Sequence, residues 1–244
     1  MIGDSYFEPA GQASYETNIK RSRFIANVVP CRDCCEDDVR VRIKELCVLH
    51  SKADHNCWAY VLGTEPLTEH SSDAGEPSGT AGRPILGEIK RSGLVNLLVV
   101  VTRYFGGIKL GTRGLIEAYS QTAAQALAIA PRAERIRTRS VKVYFPYNSM
   151  GVVTQTLTAT GYEGELQWDF SVTQNENISV KSDFRISKLP ALLAKLDELK
   201  DRKIISGFET GEINIKLLYN SAYEVGLTSK YKNRRRFQCG PIMK

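Results

Sequence analysis

The chain has no apolar run long enough to cross a bilayer. Its longest, residues 94–101, falls far short of the roughly 20 residues that a spanning helix needs. Residues 1–24 contain no apolar signal-peptide core. Cysteine is scarce, six in 244 residues, and without a secretory signal these thiols are expected to stay reduced. Together these absences imply a cytoplasmic protein with no membrane partner. Common catalytic and nucleotide-loop signatures are missing too. No Gly-Lys-Ser/Thr closes a G-x-x-x-x-G spacing, no G-x-G-x-x-G follows a strand pattern, and neither H-E-x-x-H nor G-x-S-x-G occurs. No motif calls for a cofactor.

What is present is a composition, 42% apolar and 25% charged, that can bury the core of one large or two ordinary domains. The net charge of +6 points first to nucleic acid, but its distribution moves that reading to one end. Residues 218–244 hold Lys230, Lys232, Arg234, Arg235, Arg236 and Lys244 against Glu224, a net +5, leaving +1 for residues 1–217. The tail segment KYKNRRRF interleaves Tyr231 and Phe237 with cations, which suits phosphate attraction and stacking, and equally a solubilising end.

Periodicity divides the body in two. Residues 14–19 and 23–30, joined by a turn at 20–22, read as a hairpin. Glu36, Asp37 and Asp38 favour a helix start, and Val39, Ile43, Leu46 and Cys47 recur on one face of that helix. Residues 56–62 read as a strand followed by a polar loop. Pro84 suits the first turn of a short helix ending near Gly93, and residues 94–102 form a strand buried on both faces. Thr112 is the expected cap of a long helix whose inward stripe is Leu115, Ile116, Tyr119, Ala123, Ala126 and Leu127, stopped by Pro131.

From Arg139 the pattern changes. Val141, Val143 and Phe145 alternate, Asn148 or Ser149 can cap a helix through Leu157, and Trp168 and Phe170 alternate as core-facing positions. Strands around Val180 and Ile215 flank a leucine-rich helix, residues 189–199, giving the order βαββαβ of a ferredoxin-like unit. The expected fold class is α+β in two domains, 1–135 and 138–217, with a basic tail over 218–244.

Chemistry concentrates between residues 71 and 114. Ser78, Thr80 and Arg83, among glycines and just before a helix, form a setting that favours anions, although the glycines can equally serve tight turns. Arg103 and Tyr104 end the buried strand, followed by Gly106, Gly107 and Lys109. Arg103 can contact an anion or form a structural ion pair, Tyr104 can stack on a base, and Phe105 is expected in the core. His55, Asp73 and Glu76 could supply acid, base or metal-ligand chemistry near one another. The plainer reading is a hydrogen-bonded histidine and solvated loop carboxylates. Cys31, Cys34, His55 and Cys57 would make a zinc set only if two segments met in space, and small buried thiols are the simpler expectation.

HNCWAYVLG, SSDAGEPSGTAGRP and VVVTRYFGGIKLGTRGLIEAYSQTAAQAL follow one another in order, and through them residues 15–217 resemble the IMPACT/YigZ family. The resemblance implies a first domain similar to the second domain of ribosomal protein S5, an α/β sandwich. It implies a second, ferredoxin-like domain similar to domain V of elongation factor G. The implied function is a non-catalytic cytosolic factor that regulates translation by binding the ribosome, RNA or a translation-associated protein. A hydrolase or nuclease built on His55, Asp73 and Glu76 is the rival. Eukaryotic relatives restrain the amino-acid-starvation kinase through a partner-binding segment with no expected counterpart here. Where the family usually has Lys this chain has Arg83, and where it usually has Gly it has Arg113. The expected anion or nucleic-acid surface is therefore Ser78, Thr80, Arg83, Arg103, Tyr104, Lys109 and Arg113. The second domain, which lacks an RNP1 pattern, is expected to serve as a docking unit.

Overall fold

The computed structural model describes residues 3–63, 66–171 and 177–220, so the expectations for Lys230, Lys232, Arg234, Arg235 and Arg236 lie outside the described residues. A short strand that periodicity does not announce, β1 (Ser5–Pro9), opens the chain. β2 (Ala13–Ile19) and β3 (Ser22–Pro30) then pair with Ile19 opposite Ser22, leaving Lys20 and Arg21 as a two-residue turn. Both turn residues have positive φ, 46° and 67°, as the turn type matched to strand twist demands.

The helix α1 (Glu36–Leu49) starts on three acidic residues, with the Asp38 carboxylate accepting from the Cys35 amide at 2.9 Å. β4 (His55–Leu62) follows, and the stretch expected as a polar loop contains a further strand, β5 (Thr68–Ser72). α2 (Gly82–Ser92) ends on Gly93 in the left-handed conformation. The central strand β6 (Leu97–Tyr104) begins later than periodicity suggests, because Asn96 has a φ of 57° and breaks the run. α3 (Gly111–Ile129) completes this half.

The sheet order is β2-β3-β6-β4-β5, antiparallel throughout. Its two faces have separate cores. Phe24, Cys57, Val99, Val101 and Tyr119 pack beneath α2 and α3, while Val29, Tyr60, Leu98 and Val100 pack with Val39 and Ile43 of α1. That two-sided burial is why β6 reads as a continuous apolar run. The stripe of α3 is rotated from expectation: Ile116 is exposed, and Ala118 and Thr122 are buried instead.

In the second half, the charged part of the stretch expected as a boundary, 132–138, lies in the strand β7 (Arg132–Pro146). α4 (Met150–Thr160), β8 (Glu163–Asp169), β9 (Asn177–Arg185), α5 (Leu189–Asp201) and β10 (Gly207–Asn220) follow. The order β10-β7-β9-β8 is that of a ferredoxin-like unit, so the α+β class holds. Val143, Phe145, Val180, Phe184, Leu192 and Leu196 form its core. Trp168 packs against that core, but Phe170, Ile213, Ile215 and Leu217 are exposed, a correction to the reading of Phe170 as core-facing.

The strand β1 joins the halves. It pairs with β7, Tyr6 opposite Arg135, and Phe7 bridges to Leu94. Buried Glu8 accepts bonds from Arg32, Arg135 at 2.8 Å and the Asn96 amide at 3.1 Å. Among the described residues no helix is long and apolar enough to cross a membrane.

Candidate functional site

Antiparallel pairing brings the β2–β3 turn, the start of β4 and the ends of β5 and β6 to one edge of the first sheet. Both loops singled out by sequence, 73–81 after β5 and 105–110 after β6, leave from that edge, and α2 and α3 both begin there.

Loop 73–81 folds around its own carboxylate. Asp73 accepts hydrogen bonds from the backbone amides of Gly79 at 2.8 Å, Ala81 at 2.9 Å and Gly82 at 2.8 Å. Burial works to raise the Asp73 pKa, but the three amides together with the nearby Arg83 charge outweigh it and hold the carboxyl below its ordinary value. The amides at the N-terminus of α2 that sequence offered to a phosphate are thus occupied by Asp73. Thr80 is also withdrawn from that role: it is buried and its hydroxyl donates to the Pro77 carbonyl at 2.7 Å. Ser78 and Arg83 remain exposed. Gly82 is required here, because a Cβ on it would lie 2.8 Å from the Ser72 backbone.

Glu76 points the other way, into the core. Its Oε1 accepts from Arg103 Nη1 at 2.6 Å and from the Tyr119 hydroxyl at 2.8 Å. Beside them the Cys57 thiol donates to the Asp73 carbonyl at 2.9 Å, and burial pushes its pKa up to about 12. Of the two roles left open for Arg103, the structure places it in an ion pair, its guanidinium between the rings of Phe24 and Phe105. Tyr119 is a member of this network that sequence reasoning took only for core.

The group His55, Asp73 and Glu76 does not converge as an acid–base set. His55 Nδ1 sits 3.0 Å from the Ala74 carbonyl, which can only accept, so that nitrogen carries the proton in this contact. Asp73 serves the loop amides and Glu76 serves Arg103 and Tyr119. The cysteine set is divided by the sheet: Cys31 belongs to the α1 face and Cys57 to the opposite one.

Most of the charge that the edge offers to a partner is cationic, with Asp54 an exposed carboxylate among it, engaged by the Phe105 amide. Lys20, Arg21, Arg83 and Lys109 are exposed, and among the described residues none of them forms an ion pair. Arg113 is exposed and pairs with Glu117 at 3.0 Å within α3. The first turn of α3 contains no acidic residue and no side-chain cap, so Thr112, the expected cap, leaves the helix N-terminus open. Tyr104 is half-buried, its hydroxyl 3.0 Å from His50 and the Arg23 guanidinium over its ring. Phe105, expected in the core, is instead 44% exposed. Lys20 and Arg21 escaped sequence reasoning, although a hairpin turn must fall at the same sheet edge as the end of the strand paired to it.

Residues 20–127 match the Impact N-terminal domain. The chain is 38% identical over 153 residues to the IMPACT family member YvyE of Bacillus subtilis, covering 63% of this chain and 70% of that protein. It is 40% identical over 147 residues to an IMPACT family member of Thermus thermophilus, covering 60% and 78% respectively. YigZ of Escherichia coli is 36% identical over 126 residues, covering 51% of this chain and 61% of YigZ. The crystal structure of a hypothetical protein, at 26% identity and a TM-score of 0.54, covers 86% of this chain and 98% of its own. With that motif set, that domain match and relatives of this identity and coverage, the chain belongs to the IMPACT family.

Proposed function

We propose that this protein acts in the cytoplasm as a non-catalytic regulator of translation, binding RNA, on the ribosome or free, through the edge that carries loops 73–81 and 105–110. The observation that carries the reading is the gathering there of Lys20, Arg21, Arg83 and Lys109, exposed and without ion pairs among the described residues, beside the open N-terminus of α3. Exposed cations without ion pairs attract phosphate, and the helix dipole adds to the attraction. The role in translation is what the IMPACT resemblance implies. Arg83 and Arg113, the two departures from the family pattern, both lie on this edge: Arg83 keeps the charge of the usual Lys and adds a planar donor fork, and Arg113 adds a cation that is paired with Glu117.

The test is co-sedimentation with ribosomes and with total RNA at low and moderate salt. The double variant Arg83→Ala/Lys109→Ala is expected to lose most of the pelleted fraction while melting at the wild-type temperature. Arg103→Ala is unsuitable for this purpose because it removes a buried ion pair. Undiminished pelleting of the double variant would contradict the reading.

A further inference from the structure

We infer that Phe105 is a stacking platform for an unpaired base, so that the RNA taken by this edge is single-stranded. The inference rests on the RNA-binding reading above and adds the class of RNA. Phe105 is the residue that β6 delivers to the surface just past its end, and it is 44% exposed although the strand behind it is buried from Leu97 to Arg103. One side of the ring is engaged: the Arg103 guanidinium lies 5.3 Å from its centroid. Arg103 is fixed in turn by Glu76 and by the Phe24 ring beneath it, 5.6 Å away.

The backbone is held just as firmly. The Phe105 amide donates to Asp54 Oδ2 at 2.7 Å, and the Gly106 amide donates to the Ser22 hydroxyl at 3.3 Å. A side chain at Gly106 would run into the Arg21 backbone, so this glycine lets the loop lie directly on the β2–β3 turn. The result is an exposed aromatic residue on a backbone held at two amides, with Arg21 on the adjoining turn and Lys109 in the same loop as exposed cations available to the phosphates of a stacked nucleotide, and with the Asp54 carboxylate engaged by the Phe105 amide. Every base has a π-face, so such a platform favours unpaired nucleotides without selecting a sequence. In a duplex the bases are already stacked on each other and the ring has nothing to engage. Tyr104, the aromatic that sequence favoured for stacking, is less suited because it is half-buried and its hydroxyl is held by His50.

Fluorescence anisotropy with a labelled uridine 12-mer, and with an RNA duplex of the same length, tests the inference on the full chain. Phe105→Ala and Phe105→Leu are both expected to weaken single-strand binding by about tenfold. Phe105→Trp should retain it, and duplex binding by all three should match wild type. The leucine variant keeps an apolar cover over Arg103, so its loss of binding at an unchanged melting temperature separates stacking from folding. Wild-type binding to the single strand by the leucine variant would overturn the inference and leave the RNA reading intact. Failure of the wild-type protein to bind either RNA would overturn that reading and this inference together.

Discussion

Arg103 and Glu76 meet at 2.6 Å with both side chains more than nine-tenths buried, and this contact ties loop 73–81 to the end of β6. A buried ion pair contributes little net stability against apolar residues of equal volume, but removing one partner strands a charge in the core. Glu76→Ala and Arg103→Ala should each lower the unfolding free energy by about 3–5 kcal/mol in urea titrations. The paired replacement Glu76→Leu/Arg103→Met should recover much of that loss. Tyr119→Phe, which removes one neutral donor from Glu76, should cost only about 1 kcal/mol. Single variants as stable as wild type would show that the charges are not stranded.

Asp73 gives loop 73–81 its shape and a dependence on acid. Its pKa is depressed in the folded state, so its stabilisation is fully present above the unfolded carboxylate value of about 3.9 and is lost as pH falls through the lower folded value. Asp73→Asn keeps one acceptor oxygen for three amides and should cost about 1–3 kcal/mol at pH 7. Urea titrations at pH 7, 4 and 3 should show the gap between wild type and this variant closing towards acid. A gap of constant size would contradict the assigned role.

The thiols should react in the order of their exposure. Cys35 is exposed, whereas burial pushes Cys31 and Cys57 up to about 12. A disulfide reagent at pH 8 should label Cys35 within minutes and reach Cys31 and Cys57 only after denaturation, as read by peptide mass mapping. Rapid labelling of Cys57 in the native protein would mean that the network around Glu76 opens readily.

Much of the fold was legible because its patterns are strong. The run in β6, the acidic start of α1 and the alternation of Val141, Val143 and Phe145 each carry a period that matches one element. β1 and β5 are not legible: SYFEP and TEHSS show no alternation of apolar and polar residues, and β5 has no apolar residue at all. Phe105 and Ile116 misled for another reason. Hydrophobicity is expected inward, and only the packed structure reveals an apolar side chain left outside. The candidate site was half visible. Its loops stood out by glycine and charge, but nothing in the sequence says that Asp73 would take the α2 amides itself or that Glu76 would turn inward to Arg103.

The salt dependence of RNA affinity tests the central claim most directly. Each phosphate contact with a single strand contributes about −0.7 to the slope of log K against log salt concentration. The account predicts that Arg83→Ala/Lys109→Ala reduces the magnitude of the wild-type slope for a uridine 12-mer by about 1.4, the loss of two contacts. An unchanged slope in that variant would contradict it, and would move the RNA contacts away from this edge of the sheet.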